Sequence, residues 1–253
     1  TNKAVIKMAE RLESFYYRKA VLNVTVTRGI FDYIAAQVGE KKLFFLPNGA
    51  NTRIFSPDFP VPTRLRERFK DKFVVSYTGI IGLIHGVETV IRAAERLQSV
   101  PDILFLIIGD GVKKNEVVQL ANERGLQNVI FMDAMQEEEL TPYILISQAA
   151  LATAKKMALT LGTLPVKMFS AMACAVPVIL SVVGEGETML RAANAGIVVE
   201  PDNAEAMAQA VLQLYQNPER AKRLGRNGRK FVVKHFDRRA LTRELDRKLQ
   251  EVY

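Results

Sequence analysis

Short apolar runs alternate with amphipathic stretches along most of this chain. FVVSYT (73–78), ILFLIIGDG (103–111), VIFMD (129–133), AALATA (149–154), PVILS (177–181) and GIVVE (196–200) read as six strands. They are apolar at consecutive positions, as in parallel strands covered on both faces. Helical spacing marks the segments between them: TRLRERF from Thr63, VETVIRAAERL with Glu88 and Arg92 at i,i+4, NEVVQLANERG closed by Gly125, and EEELTPYILIS (137–147) with a proline near its middle. Three further helices follow the last strand: NAEAMAQAVLQLYQ, then PERAKRLGRNGRKFVVKHF with interruptions at Gly225 and Gly228, then ALTRELDRKLQEVY (240–253). Strands and helices alternating at this spacing predict an α/β fold, a doubly wound parallel sheet with right-handed crossovers.

Ahead of Thr63 the pattern is less regular. Residues 1–20 carry helical spacing without a start signal, and VLNVTVT (21–27) reads as a strand. GIFDYIAAQVG is a short helix closed by Gly39, and LFFLP (43–47) is a second strand. PNGANTRIFSP (47–57) contains the Asn48-Gly49 turn, and with Pro57, Pro60 and Pro62 it has the composition of an inter-domain linker.

The stretch Leu161–Glu187, LGTLPVKMFSAMACAVPVILSVVGEGE, concentrates the candidate chemistry. It runs from a Gly/Thr/Pro loop through a short amphipathic helix and a buried strand to a Gly- and Glu-rich loop. Doubly wound folds bind ligands at the carboxyl edge of the sheet, where such loops lie. Lys167 and Ser170 are three apart and share a helix face. A cation near a helix N-terminus does not complement the dipole, so Lys167 needs another partner, and a diphosphate fits. Glu185 and Glu187, in the loop after the fifth strand, either bind sugar hydroxyls or face water.

Other strand-end loops add weaker candidates. Gly79, Gly82 and Gly86 follow a strand and open a helix, which suits either close approach of a phosphate or a plain tight turn. The spacing is not G-x-G-x-x-G, so a dinucleotide redox cofactor gains no support. His85 in this loop is either a phosphate contact or a surface histidine. Gly109-Asp110-Gly111 is a turn in which Asp110 caps backbone N–H groups, or a floor under a ligand. Asp133-Ala134 either reads a base edge or is an ordinary loop.

Composition narrows the classes. The 253 residues are 49% hydrophobic and 25% charged, enough for one large α/β domain or two small ones. The lone cysteine, Cys174, precludes a disulfide framework within the chain and suits a reducing cytoplasm. No uninterrupted apolar span long enough to cross a membrane is visible. Only two histidines and no Asp-x-Asp pair argue against a metal site. The net charge of +8 is spread, with clusters at Thr63–Lys72 and Arg220–Arg243, and lacks the interleaved aromatic residues of a specific nucleic-acid face.

Taken in order, these loops resemble the C-terminal half of retaining GT-B glycosyltransferases of family 4, the group 1 type. YTGIIGLIHGVETVIRAA resembles the donor-diphosphate loop and its helix, LIIGDGVKKNEVVQLANERGLQNVIFMD the following strand–helix–strand, and GTLPVKMFSAMACAVPVILS the donor-binding helix and strand. LPNGANTRIFSP resembles the inter-domain connection. The likeness runs from about Tyr16 to Phe236. It is nearest to the bacterial subgroup that transfers N-acetylated sugars in surface-polysaccharide assembly, whose corresponding stretch is Gly-Thr-x-Pro-Ser-Lys-x-x-Glu.

That resemblance implies residues 1–46 as the tail of a truncated N-terminal domain, 47–62 as linker, 63–239 as a nucleotide-sugar donor domain, and 240–253 as a helix crossing back to the N-terminal domain. The implied donor is a UDP-sugar acting as co-substrate with no other cofactor and no metal. The implied acceptor is lipid-linked or a glycan, met in the cytoplasm or on the inner membrane face. An uncovered N-terminal segment and C-terminal helix imply self-association. The implied donor-binding set is Gly79, Ile80, Gly82, Gly109, Asp110, Ala134, Thr163, Lys167, Ser170 and Glu185, with Lys167 and His85 catalytic. Lys167 would neutralise the leaving UDP. Three positions depart from the pattern: Ile80 replaces an arginine, His85 a lysine, and Ser170 a glutamate that binds ribose, whose partner position eight residues earlier is Gly162. A charge-assisted bond of roughly 1.5–3 kcal/mol is thereby exchanged for one of about 1. Ile80 and Ser170 also suit a second reading, a degenerate homologue that binds or scaffolds without turnover.

Overall fold

The computed structural model describes residues 3–157, 160 and 162–252. Leu161, the first residue of the stretch singled out above, lies outside the described residues, as do Thr1, Asn2 and Tyr253 at the ends of the expected terminal helices. The chain divides into two compact units, one formed by its two ends (up to Asn48 and from Arg238) and the other by Gly49–Asp237.

In the first unit, helix α1 (Lys3–Lys19), strand β1 (Asn23–Thr25), helix α2 (Arg28–Val38) and strand β2 (Leu43–Phe45) precede the boundary, and α11 (Arg238–Gln250) follows it. The two strands pair in parallel, Asn23 opposite Leu43 and Thr25 opposite Phe45. They are only three residues each, shorter than 21–27 and 43–47, and at the start of β1 the Asn23 side-chain amide donates to the Tyr17 and Lys42 carbonyls. Gly39 caps α2 at φ +77, a conformation that favours glycine.

The second unit holds a six-stranded parallel sheet in the order β5-β4-β3-β6-β7-β8. Its strands are β3 (Phe73–Thr78), β4 (Ile103–Ile108), β5 (Val129–Met132), β6 (Ala149–Thr153), β7 (Val178–Ser181) and β8 (Gly196–Val198). The helices are α3 (Thr63–Phe69), α4 (Val87–Arg96), α5 (Lys114–Glu123), α6 (Glu137–Leu145), α7 (Val166–Ala173), α8 (Glu185–Ala193), α9 (Ala204–Gln216) and α10 (Pro218–His235). Alternate residues of each strand serve opposite cores. Val75, Tyr77, Phe105, Ile107 and Ile179 pack with α4, α5 and α9. Val74, Leu104, Leu106 and Ile108 pack with α3 and α6, and Ala150, Ala152, Val178 and Leu180 pack with α7 and α10. Each fully buried large side chain contributes roughly 1.5–3 kcal/mol, so strands that are mostly apolar on both faces, with Ser76, Thr78, Thr153 and Ser181 the buried exceptions, suit a sheet covered on both sides. No described helix is long and apolar enough to cross a membrane.

Four expectations are corrected. Gly225 and Gly228 do not interrupt α10, which is continuous over 18 residues. They lie where it presses on its neighbours: a Cβ on Gly225 would overlap the Ala175 carbonyl oxygen, and one on Gly228 would stand 3.1 Å from Met172. The segment after Ser181 is not all loop, because α8 begins at Glu185 with Glu185 and Glu187 in its first turn, where acidic side chains complement the dipole. Glu88 does not pair with Arg92 but with Lys155 at 3.3 Å, across to the end of β6. The linker 47–62 is, from Gly49 on, part of the second unit, with Ala50 and Phe55 buried in its core.

Arg229 on α10 holds that last segment. Its guanidinium donates to the carbonyls of Thr52 (3.2 Å), Phe55 (2.9 Å) and Ala173 (2.8 Å). Arg229→Met keeps the stem and strands three part-buried acceptors. Chemical denaturation is expected to show a loss of roughly 2–4 kcal/mol, with Arg229→Lys intermediate.

Candidate functional site

The sheet order places the crossover point between β3 and β6: the chain leaves β3 toward one edge and returns through β6 to build the other. At the carboxyl ends of such a pair the following loops diverge and leave a crevice. A cavity of about 370 Å³ lies there. Thr78, Gly79, Ile80, Ile84 and His85 after β3 form one wall, Thr153 and Ala154 at the end of β6 another. Thr163, Pro165, Val166, Lys167 and Ser170 from the start of α7 close it, with Phe55, Glu137 and Leu140 at the side.

The post-β3 loop is held from several directions. The Thr153 hydroxyl donates to the His85 carbonyl at 2.5 Å, and the Lys155 N–H to that of Ile84 at 2.8 Å. Gly79 sits at φ +113, and a Cβ on Gly109 would overlap its carbonyl oxygen, so the two strand-end loops stack backbone on backbone. The glycine at 109 is therefore required by loop packing.

Two nitrogens at the cavity lack hydrogen-bond partners among the described residues. Lys167 Nζ and His85 Nδ1 are buried and make no hydrogen bond among the described residues. Lys167 as a residue is half-buried, while its amine is fully buried. Burial pulls the Lys167 pKa down to about 7. Burial also lowers that of His85, and the nearby Lys167 charge lowers it further. The Lys167 ammonium rests 3.7 Å from the centre of the Tyr77 ring. A buried amine at the N-terminal end of a helix, beside a glycine held at positive φ, is arranged to receive an anion.

Of the residues singled out in the sequence, the fold brings Gly79, Ile80, His85, Thr163, Lys167 and Ser170 to this cavity. Gly82, Gly109, Asp110, Ala134 and Glu185 do not line it. Gly82 packs on the His85 ring, and Asp110 uses its carboxylate on the Gly111 N–H at 2.7 Å and its carbonyl on the Ile81 N–H at 2.8 Å. Ala134 is exposed beside Asp133, which is paired with Lys114 at 2.6 Å. Glu185 Oε1 faces the Gly162 turn, and Glu187 pairs with Arg191 at 3.0 Å. Sequence reasoning missed Tyr77, Phe55 and Glu137. Tyr77 had one available signal, a phenol near the carboxyl end of a strand buried at every position. Among the described residues no group of three His, Cys, Asp or Glu side chains is placed to hold a metal ion.

Residues 64–231 match the family described as Glycosyl transferases group 1. Among curated relatives, the GDP-mannose-dependent alpha-(1-6)-phosphatidylinositol monomannoside mannosyltransferase of Mycolicibacterium smegmatis is 28% identical over 197 residues, which cover 76% of this chain and 52% of that protein. The O-antigen chain mannosyltransferase C of Escherichia coli is 26% identical over 198 residues, covering 78% and 51%. The Anabaena protein HepE, solved in complex with UDP-glucose, superposes with a TM-score of 0.81 at 15% identity over 95% of this chain and 67% of its own. The chain spans about half the length of the curated relatives it matches. The six-stranded parallel sheet is that of GT-B glycosyltransferases.

Proposed function

This chain belongs to the Glycosyl transferases group 1 family, and we propose that its Gly49–Asp237 unit binds the nucleotide-sugar donor of a retaining, metal-independent transfer. The observation that carries this reading is the buried Lys167 amine at the start of α7, without a hydrogen bond among the described residues and against the Gly79 loop. A donor diphosphate supplies the anion that this amine lacks. It would lie on the Gly79 backbone and the first turn of α7, where unpaired N–H groups point outward. As the bond from sugar to diphosphate breaks, charge grows on the leaving nucleotide, and Lys167 faces that charge. His85 stands beside it with a free nitrogen. Thr163 and Ser170 offer hydroxyls for the ribose or sugar. Gly82, Gly109 and Asp110 act one layer back, by shaping the loop. Ala134 and Glu185 remain assigned to the base and the donor sugar respectively.

The donor proposed first is a UDP-N-acetylhexosamine, on the Gly-Thr-Leu-Pro loop at 162–165. GDP-mannose is the second reading, favoured by the GDP-mannose-dependent relative. The whole protein would extend a surface glycan or glycolipid at the inner membrane face, consistent with an O-antigen enzyme among its relatives and with a net charge of +8 toward anionic lipid. A non-catalytic scaffold, suggested by Ile80 and Ser170, is the alternative.

Thermal unfolding of the full chain with UDP, GDP and ADP tests the reading. UDP at a hundred times its Kd is expected to raise Tm by roughly 5–10 °C, with ADP far weaker. A response confined to GDP moves the donor to the mannosyl class. No response to any of the three overturns the donor assignment.

A further inference from the structure

We propose that Tyr77 is the positioning residue for Lys167: its ring face holds the ammonium at the cavity, and its hydroxyl anchors that ring to the glycine loop through the Ile80 carbonyl. The inference rests on the diphosphate reading of the cavity, and its test separates the two. Tyr77 is fully buried in the middle of the sheet, and its O–H donates to the Ile80 carbonyl at 2.6 Å. The Lys167 amine lies 3.7 Å from the ring centroid and has no hydrogen bond among the described residues. A Cβ on Gly79 would stand 3.6 Å from both Lys167 Cε and Nζ, an ordinary contact distance, so the ammonium lies against the loop backbone as well as the ring. One side chain thus touches both halves of the anion cradle, the lysine and the backbone.

The ring also acts on charge. A diphosphate needs Lys167 protonated, and burial favours the neutral amine. The negative face of an aromatic ring opposes that by attracting the ammonium. The other charged or titratable groups around it are His85 on the glycine loop, whose charging Lys167 disfavours, Glu137 at the start of α6, and the Glu88–Lys155 pair behind Tyr77. UDP affinity should therefore fall as pH rises through the Lys167 titration, and the Tyr77 ring should keep that breakpoint near neutrality.

Fluorinated phenylalanines at position 77 keep the ring's shape while draining its negative face, so they separate charge from packing. The full chain is titrated with UDP by calorimetry between pH 6 and 9. In parallel, the Lys167 amine is followed by the 13C shift of its ε-carbon, assigned with Lys167→Met. Tyr77→Phe, which keeps the ring but frees the Ile80 carbonyl, should bind about two- to five-fold more weakly than wild type at every pH, and the trifluoro ring should bind about three- to thirty-fold more weakly than Tyr77→Phe near pH 7.5. The amine titration should move down by roughly half to one pH unit. Tyr77→Leu should lose more, with phenylalanine restoring most of it. A flat fluorine series with an unmoved amine titration overturns the proposal, as does a loss across the fluorine series equal at every pH. If wild type binds no UDP, the donor reading fails, and the amine titration still decides for or against Tyr77.

Discussion

Lys167→Met is expected to abolish nucleotide binding and, at the same time, to make the ligand-free protein more stable at pH 6. The two effects have one origin. The amine is buried without a hydrogen-bond partner among the described residues, and its pKa falls from 10.5 to about 7 on folding. That fall corresponds to a burial cost on the order of 5 kcal/mol, which the Tyr77 ring offsets by roughly 1–2. Between these two pKa values the unfolded chain binds a proton that the folded chain does not, so stability rises with pH across that interval. The cost of Lys167 is complete below pH 7 and vanishes above 10.5. Methionine fills the stem's space without a charge. The variant should therefore melt about 5–10 °C above wild type at pH 6, and the gap should close by pH 10.5. UDP affinity should drop by a hundredfold or more, because the diphosphate would meet no cation there. A variant that melts lower than wild type at pH 6 would mean that the amine is paired or hydrated in solution. A variant that still binds UDP normally would place the diphosphate elsewhere.

Gly225→Ala is expected to cost roughly 3 kcal/mol or more, or to prevent folding altogether. The direction of this effect separates two physical accounts. Helix propensity alone makes Gly→Ala in an 18-residue helix stabilising by about 1 kcal/mol. Packing makes it destabilising, because the added methyl would overlap the Ala175 carbonyl oxygen, a backbone atom that cannot rotate away. Ala175 is itself held at φ +58 in the turn between α7 and β7, so that turn has little freedom to retreat. Gly228→Ala is the internal control. Its methyl would meet side-chain atoms of Met172 and Ala195 at 3.1–3.2 Å, and methionine can give way. Denaturant midpoints should rank wild type, then Gly228→Ala, then Gly225→Ala. A stabilised Gly225→Ala would show that the α10 contact is looser than the structure has it.

The strands of the second unit were legible in the sequence because burial on both faces leaves a direct trace, a run of consecutive apolar residues. β3 and β4 fall on FVVSYT and on the ILFLII part of its run without adjustment. Lys167 was legible for a different reason: a cation at the start of a helix, after Gly-Thr-Leu-Pro, is misplaced for the dipole and so signals a partner. α8 was not legible, because ETMLRAA sits in a glycine- and glutamate-rich stretch and only one of its large apolar residues, Leu190, is buried. Gly225 and Gly228 read as breaks because local propensity cannot register a neighbouring helix.

The candidate site divides in the same way. Chain chemistry alone selected the glycine loop, the lysine helix and the serine beside it, since each is a short-range pattern. Only the tertiary structure decided that Tyr77 lies under an amine 90 positions later, that Phe55 from the proline-rich segment closes the cavity, and that Asp110 serves its own loop. Those facts follow from β3 lying next to β6, which the strand order sets, not from any local residue preference. Burial then gives Lys167 its altered charge, because desolvation depends on what surrounds the amine in space and leaves no mark in the residues that flank it.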